Sequence, residues 1–153
     1  MPSSTRRELK VVFDGSVWIS ALLWGGKPAE IVKATESRRI EILISEEILA
    51  EISRVLNYPK LSKIYQVEGL RREDLIEAVL KIAKFVKIAE RVCVVKDHPA
   101  DDKFLECASA AEASYLVSGD RHLLKVVHWK RTKILSVSDF LQVLENGGKS
   151  GAE

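Results

Sequence analysis

The segment Leu9-Lys10-Val11-Val12-Phe13-Asp14 is a short apolar run that ends on an aspartate. Continuous apolar character over so few residues is typical of a strand that is buried on both faces of a parallel sheet. We therefore expect this strand in the centre of a sheet, with Asp14 at its carboxyl end. Ligands of open α/β sheets bind in the crevice outside these strand ends, which makes Asp14 the first candidate site residue.

Three later apolar runs also deliver acidic residues at or just beyond their C-terminal ends. They are residues 40–44, 92–95 and 115–118, followed respectively by Glu46, Glu47 and Glu51, by Asp97, Asp101 and Asp102, and by Asp120. The ends of parallel strands meet at one edge of a sheet, so these carboxylates should converge there. Crowded carboxylates repel one another unless protons or hard cations neutralise them, and Mg²⁺ or Mn²⁺ is the usual cation in such a site. The pattern predicts a metal-dependent enzyme.

Strand-like and helix-like patterns alternate between residues 9 and 145. The alternation predicts an α/β fold of three layers, α/β/α, with a central parallel sheet of about five strands. Helices are expected over residues 46–56 behind the N-cap Ser45, over 73–85, from about residue 100, and over 138–144 with Gly147-Gly148 as the stop. We expect one domain over residues 9–145, flanked by flexible tails at 1–8 and 146–153.

Composition excludes several classes of protein. The 153 residues carry a formal net charge of +2 and contain no apolar run of the roughly 20 residues that a membrane helix needs. No signal peptide is recognisable, so we expect no membrane association and a cytoplasmic location. Basic clusters such as Arg71-Arg72 can bind phosphate backbones, but such clusters are more often solvated faces. Cys93 and Cys107 lack metal-type spacing and are expected to be reduced thiols in the core.

Some of the acidic residues also have an ordinary structural explanation. Asp14 can simply cap the helix that follows it. Glu47 and Glu51 lie four residues apart on one helix, where a charged face exposed to solvent is, for either residue alone, the more common explanation.

The adjacent pair Asp101 and Asp102 presents a choice. Both stand at a helix start, where the macrodipole favours acidic residues. Neighbouring helical residues point about 100° apart, so one of the pair can face a site while the other faces water or caps the helix. Asp102 shares its face with Leu105 and Glu106 and is therefore favoured for the site.

Four motifs together resemble the PIN-domain nucleases, in particular the VapC-like toxins of toxin–antitoxin pairs. They are Val11-Val12-Phe13-Asp14-x-Ser16-Val17, Ser45-x-x-Ile48-x-x-Glu51, Pro99-x-Asp101-Asp102-Lys103-Phe104-Leu105-Glu106-Cys107-Ala108 and Tyr115-Leu116-Val117-Ser118-Gly119-Asp120. The resemblance runs from about residue 9 to 144. It implies that Asp14, Glu51, Asp102 and Asp120 are the catalytic acids that bind one or two Mg²⁺ or Mn²⁺ ions. It also implies endonucleolytic cleavage of RNA phosphodiesters, a cognate antitoxin protein and a homodimer.

Other residues are expected to support this site. Ser16 fits the motif, whereas Gly15 departs from the family's usual Thr and thereby removes a hydroxyl and a Cβ. Asp101 and Glu47 are expected to assist the four acids, and Asp97 is expected not to contact the metal. The candidate substrate-binding residues are Lys60, Lys103 and Arg121.

The residues also bear on competing functions. A phosphatase of the haloacid-dehalogenase type needs a second acid two residues after its strand-end Asp, where this chain has Ser16. A nucleotide-binding module needs a Gly-rich phosphate loop, which neither Gly25-Gly26 nor Gly147-Gly148 supplies. A PIN-like module that binds RNA or protein without cutting stays open, with Gly15 in its favour.

Two tryptophans near the first helix, Trp18 and Trp24, bear on self-association. An exposed Trp suits an interface, because Trp is enriched at binding hot spots. We expect at least one of the two to pack in the core.

Overall fold

The computed structural model describes residues 8–95 and 98–149, and Asp97 lies outside them. Within this part of the chain the strands are β1 Leu9–Phe13, β2 Ile40–Ile44, β3 Ala83–Phe85, β4 Tyr115–Val117, β5 His128–Trp129 and β6 Thr132–Leu135. The helices are α1 Gly15–Leu23, α2 Gly26–Glu36, α3 Glu46–Leu56, α4 Pro59–Val67, α5 Arg72–Ile82, α6 Asp102–Ala111, α7 Arg121–Leu124 and α8 Val137–Lys149. A 3-10 turn, Pro99–Asp101, leads directly into α6.

The described strands form one sheet in the order β3-β2-β1-β4-β6-β5. Neighbouring strands from β3 to β6 run parallel, and β5 adds an antiparallel edge. The predicted three-layer α/β/α fold with a central parallel sheet is confirmed, with one more edge strand than expected.

The first strand lies in the interior of the sheet, as its apolar run predicts. Val11 pairs with Ile42 of β2 and with Tyr115 of β4. Val11, Val12 and Phe13 are fully buried, and they carry the chain to Asp14 at the carboxyl edge. Because β4 is the parallel neighbour of β1, the residues after β4 lie at the same edge.

The strand predicted over residues 92–95 is wrong. The strand beside β2 is β3, and α5, which was expected to reach residue 85, ends at Ile82. The backbone N–H groups of Val92, Val94 and Val95 donate hydrogen bonds to carboxylates of α6 instead of to a neighbouring strand. This segment therefore lies beside a helix and not in the sheet.

Three smaller features also differ from the expectations of the sequence. The helix α8 continues to Lys149, through the glycine pair expected to end it, and α4 was not predicted. Cys93 is exposed, so its expected place in the core is wrong, whereas Cys107 on α6 is buried as expected. Burial raises the pKa of the Cys107 thiol to about 12, so this thiol stays protonated.

The two tryptophans have opposite environments. Trp18 is fully buried and packs edge-on against Phe13, with ring centroids 5.2 Å apart. Trp24, just after α1, is 59% exposed. Of the helices in the described residues, none has the length and apolar character to cross a membrane.

Candidate active site

Asp14 is held at the junction of β1 and α1, with 3% of its surface exposed. Its Oδ1 accepts hydrogen bonds from the Val17 amide at 2.9 Å and the Ser16 hydroxyl at 2.8 Å, so Asp14 caps α1. Its Oδ2 accepts from the Ser118 hydroxyl and from the Gly119 amide. Both carboxylate oxygens are therefore fixed by the fold, and the capping role and a place at the sheet edge coexist.

Burial raises the pKa of the Asp14 carboxyl above its usual value, because desolvation disfavours the charged form. The hydrogen bonds from Ser118, Val17, Ser16 and Gly119 act in the opposite direction, since each stabilises the carboxylate. A cation bound nearby would add to these bonds and favour the ionised form.

Ser118 connects Asp14 to Asp120. Its hydroxyl donates to Asp14 and accepts a hydrogen bond from the Asp120 amide at 2.9 Å. Asp120 in turn caps the short helix α7, accepting from the His122 amide at 2.7 Å. The ends of β1 and β4 thus meet as the sequence predicts.

Asp101, the last residue of the 3-10 turn, lies within the field of these two acids. Burial, followed by the negative charge of Asp120, raises the pKa of the Asp101 carboxyl to about 6, and Asp14 adds to the effect. His98 and Lys103 oppose it. The Oδ2 of Asp101 is buried and has no hydrogen-bond partner among the described residues. This oxygen is crowded by negative charge and lacks a donor, which is a state that a cation relieves.

Asp102 has different surroundings from those that the sequence suggests. Its Oδ1 accepts hydrogen bonds from the amides of Val94 at 3.1 Å and Val95 at 2.9 Å. One helical turn later, Glu106 accepts from the Val92 amide at 3.0 Å. Asp102 and Glu106 share a face of α6 as predicted, but that face packs against residues 92–95.

Glu51 lies against the start of α1 and is paired with a lysine. Its Oε1 is 2.7 Å from Lys103 Nζ, and Lys103 also donates to the Ala100 carbonyl. A Cβ placed on Gly15 would lie 2.5 Å from Glu51 Oε2. Glycine at position 15 is therefore what allows the Glu51 carboxylate to occupy this place.

The other predicted residues lie further out. Glu47 bonds to the Arg91 guanidinium at 2.7 and 2.8 Å, at the surface. Lys60 is exposed on α4, and Arg121 is exposed at the start of α7. Of the three candidate substrate-binding cations, Lys103 contacts one of the predicted acids.

Two features of the site were missed from sequence. Ser118 is fully buried and bridges Asp14 and Asp120. Its position just before Gly119-Asp120 is the sequence feature that could have indicated this role. The rings of His98 and His122 are in contact, with centroids 3.7 Å apart and ring planes tilted by 35°. Spacing gave no signal for this contact, because it joins two separate motifs.

The chemistry of these side chains fits Mg²⁺ or Mn²⁺, which prefer carboxylate oxygens. The unpartnered Asp101 Oδ2 is the clearest sign, since a buried polar atom without a partner is costly. Within residues 8–95 and 98–149, no three acidic, histidine or cysteine side chains already surround a common point. Binding an ion would therefore require some of these side chains to turn toward it.

The fold and the site define a mostly parallel α/β domain with acidic residues gathered at the carboxyl ends of β1 and β4. A family model described as PIN domain matches residues 10–122, so the chain belongs to the PIN-domain family. PIN domains are generally nucleases.

Among solved structures, the chain is similar to one in the crystal structure of VapBC2 from Rickettsia felis bound to a DNA fragment from their promoter. The TM-score is 0.58 at 10% identity, over 82% of this chain and 97% of that chain. At this identity the likeness concerns the fold. A comparison with curated proteins gives no match.

Proposed function

We propose that this protein is a metal-dependent endoribonuclease that hydrolyses RNA phosphodiesters and serves as the toxin of a toxin–antitoxin pair. The observation that carries the proposal is the convergence of Asp14, Asp101 and Asp120, where Asp101 Oδ2 finds no donor among the described residues. Membership of a family whose domains are generally nucleases agrees with that chemistry.

In this proposal Asp14, Glu51, Asp101 and Asp120 hold one or two Mg²⁺ or Mn²⁺ ions. Asp102 is the acid favoured from sequence, but its side chain lies on the face of α6 that packs against residues 92–95, where it accepts from the amides of Val94 and Val95. Asp101 carries the unpartnered buried oxygen, so we assign the metal-binding role to Asp101.

When bound, such ions activate water and stabilise the leaving oxygen of a phosphodiester. The chain itself supplies orientation, because Ser16 and Ser118 hold the two oxygens of Asp14. Lys103, once released from Glu51, offers its ammonium group to a phosphate oxygen. As the resemblance implies, the oxygen of water joins phosphorus while the bond to the 3′ oxygen breaks, leaving a 3′-hydroxyl and a 5′-phosphate.

The proposal includes a cognate antitoxin, a homodimer and action in the cytoplasm. The likeness of fold to VapBC2 supports a toxin–antitoxin context. Trp24, 59% exposed, offers an aromatic contact to a partner. Light scattering across micromolar concentrations tests self-association, and a monomer throughout would contradict the dimer.

The test is incubation of the purified, antitoxin-free protein with a panel of RNAs in Mg²⁺, Mn²⁺ or EDTA. We expect cleavage that requires the divalent ion. Asp139→Asn is a suitable control, because Asp139 is exposed in the first turn of α8. Cleavage that is equally fast in EDTA would refute the metal requirement.

A second candidate is a PIN-like module that binds RNA or a protein without cutting. The Glu51–Lys103 ion pair favours it, because the lysine already neutralises an acid that a metal would need. RNA binding without cleavage in any divalent ion would support this candidate against the nuclease.

A further inference from the structure

We propose that Asp102 and Glu106 act as a clamp that holds residues 92–95 against α6 and thereby sets the position of Asp101. Both are positioning residues that contact neither metal nor RNA. The inference rests on the proposed function in so far as Asp101 is taken as a metal ligand.

The clamp consists of two buried carboxylates on one face of α6. Asp102 is 7% exposed and Glu106 is 5% exposed. Together they accept hydrogen bonds from the amides of Val92, Val94 and Val95. Glu106 also bonds to the Arg91 guanidinium, which balances part of its charge; this contact is 3.0 Å long.

Each side of the clamp needs the other. A buried carboxylate is stable only when it is paired or hydrogen-bonded, and a buried amide without an acceptor carries a similar cost. Residues 92–95 belong to no strand, so α6 supplies the acceptors that a neighbouring strand would otherwise provide. Removing either carboxylate therefore leaves backbone donors unpaired and frees the segment.

Hydrogen bonds carry the constraint from the clamp to Asp101. The amide of Val95 donates to Asp102, and the carbonyl of Val95 accepts from the His98 amide at 3.0 Å. The His98 carbonyl then accepts from the Asp101 amide at 2.9 Å. Because Asp102 follows Asp101 directly, the chain closes a small ring, and Asp101 is fixed within it.

The experiment compares truncating with conservative variants of both acids. Asp102→Asn and Glu106→Gln keep an oxygen acceptor, whereas Asp102→Ala and Glu106→Ala remove it. Glu112→Gln is the matched control, since it removes an exposed acid from the end of the same helix. Mn²⁺ affinity is measured by calorimetry, and backbone amide exchange is followed by NMR.

We expect the alanine variants to lose Mn²⁺ affinity by about 10- to 100-fold, the range found for groups that orient metal ligands. Exchange should accelerate at Val94 and Val95 in Asp102→Ala and at Val92 in Glu106→Ala. The Asn and Gln variants should bind Mn²⁺ nearly as wild type does. Asp101→Asn should lose Mn²⁺ binding while these amides stay protected.

Two results would overturn the clamp. One is Asp102→Asn losing Mn²⁺ binding as completely as Asp101→Asn with protection intact, since Asp102 would then be a ligand. The other is unchanged amide exchange when the acceptor is removed. If an alanine variant does not fold, the comparison of Asp102→Asn with Asp101→Asn decides. A wild-type protein that binds no Mn²⁺ refutes the proposed function, and the exchange rates alone then support or overturn the clamp.

Discussion

Asp14 and Asp101 both lie near Asp120, yet the fold treats their carboxylates in opposite ways. Ser16, Val17, Ser118 and Gly119 donate hydrogen bonds to the two oxygens of Asp14 and hold them in place. Asp101 Oδ2 is buried without any partner among the described residues. Protein donors therefore orient the first carboxylate, whereas one oxygen of the second is left without a donor.

This difference indicates that the protein itself orients Asp14, whereas Asp101 still lacks a bonding partner. The orientation of Asp14 exists before any ion binds, so substitutions around Asp14 should lower the rate of catalysis by misorienting its carboxylate. The negative charges of Asp120 and Asp14 repel the Asp101 carboxylate, so substitution of Asp101 should change the ion affinity and its pH dependence.

The largest effect is expected for Asp14→Asn, which should reduce RNA cleavage to background in saturating Mg²⁺. Folding should persist, because Asn is as good a helix N-cap as Asp and the substitution removes a buried charge. Cleavage of a labelled RNA measures the first expectation, and thermal unfolding followed by circular dichroism measures the second. A variant that cuts RNA at the wild-type rate would show that the proposed site is wrong.

The second prediction concerns pH and Asp101→Asn. The pKa of Asp101 is about 6 in the folded protein against an ordinary 3.8, so the folded state holds this proton more strongly than the unfolded state does. Through this group, the stability of the metal-free protein should fall as pH rises from about 3.8 to 6 and then level off. Asp101→Asn should remove this fall in the free energy of unfolding, measured by urea titration at each pH.

Metal binding should show the opposite trend. A proton and Mn²⁺ compete for Asp101, so the Mn²⁺ affinity should decrease by up to about tenfold per pH unit below the pKa. Calorimetry between pH 5 and pH 8 tests this expectation. A wild-type affinity that does not change with pH would contradict the role given to Asp101.

Part of this site could be predicted from the sequence. The run from Leu9 to Phe13 predicted a strand in the interior of the sheet, because a parallel strand covered on both faces is apolar along most of its length instead of alternating with polar residues. The convergence of Asp14 and Asp120 followed from strand ends alone. Ser16 was named because it fits the motif that the chain shares with PIN domains, and its hydroxyl donates to Asp14.

The reason to propose Asp101 in place of Asp102 was not predictable in the same way. It depends on what α6 packs against, and the apolar run 92–95 predicts a strand, which would need no acceptors from a helix. In the structure Asp102 accepts from Val94 and Val95, and the buried oxygen without a partner belongs to Asp101. A backbone segment that pairs with side chains leaves no periodic signal.

Ser118→Ala should have a smaller effect than either aspartate variant. It removes the donor to Asp14 Oδ2 and leaves the Asp120 amide without its acceptor, so two acids lose orientation at once. We expect a loss of about 10- to 100-fold in cleavage rate. Ser16→Ala, which removes a single bond to Asp14, should cost less. Equal losses in the two variants would show that the link between Asp14 and Asp120 is unimportant.

The smallest effect is expected for Gly15→Ala, which tests the close contact between the start of α1 and Glu51. The new Cβ would lie 2.5 Å from Glu51 Oε2, so the carboxylate must move, and its flexible side chain can do so without disturbing the fold. We expect Mn²⁺ affinity to fall by less than about 10-fold, the lower end of the range for removing a group that orients a metal ligand. The melting temperature should stay equal or rise, since Ala is favoured over Gly within a helix. Gly147→Ala, where the Cβ meets open space in α8, is the control for that helix effect. If Gly15→Ala binds Mn²⁺ as tightly as wild type, ion binding does not depend on the place that Glu51 occupies beside Gly15.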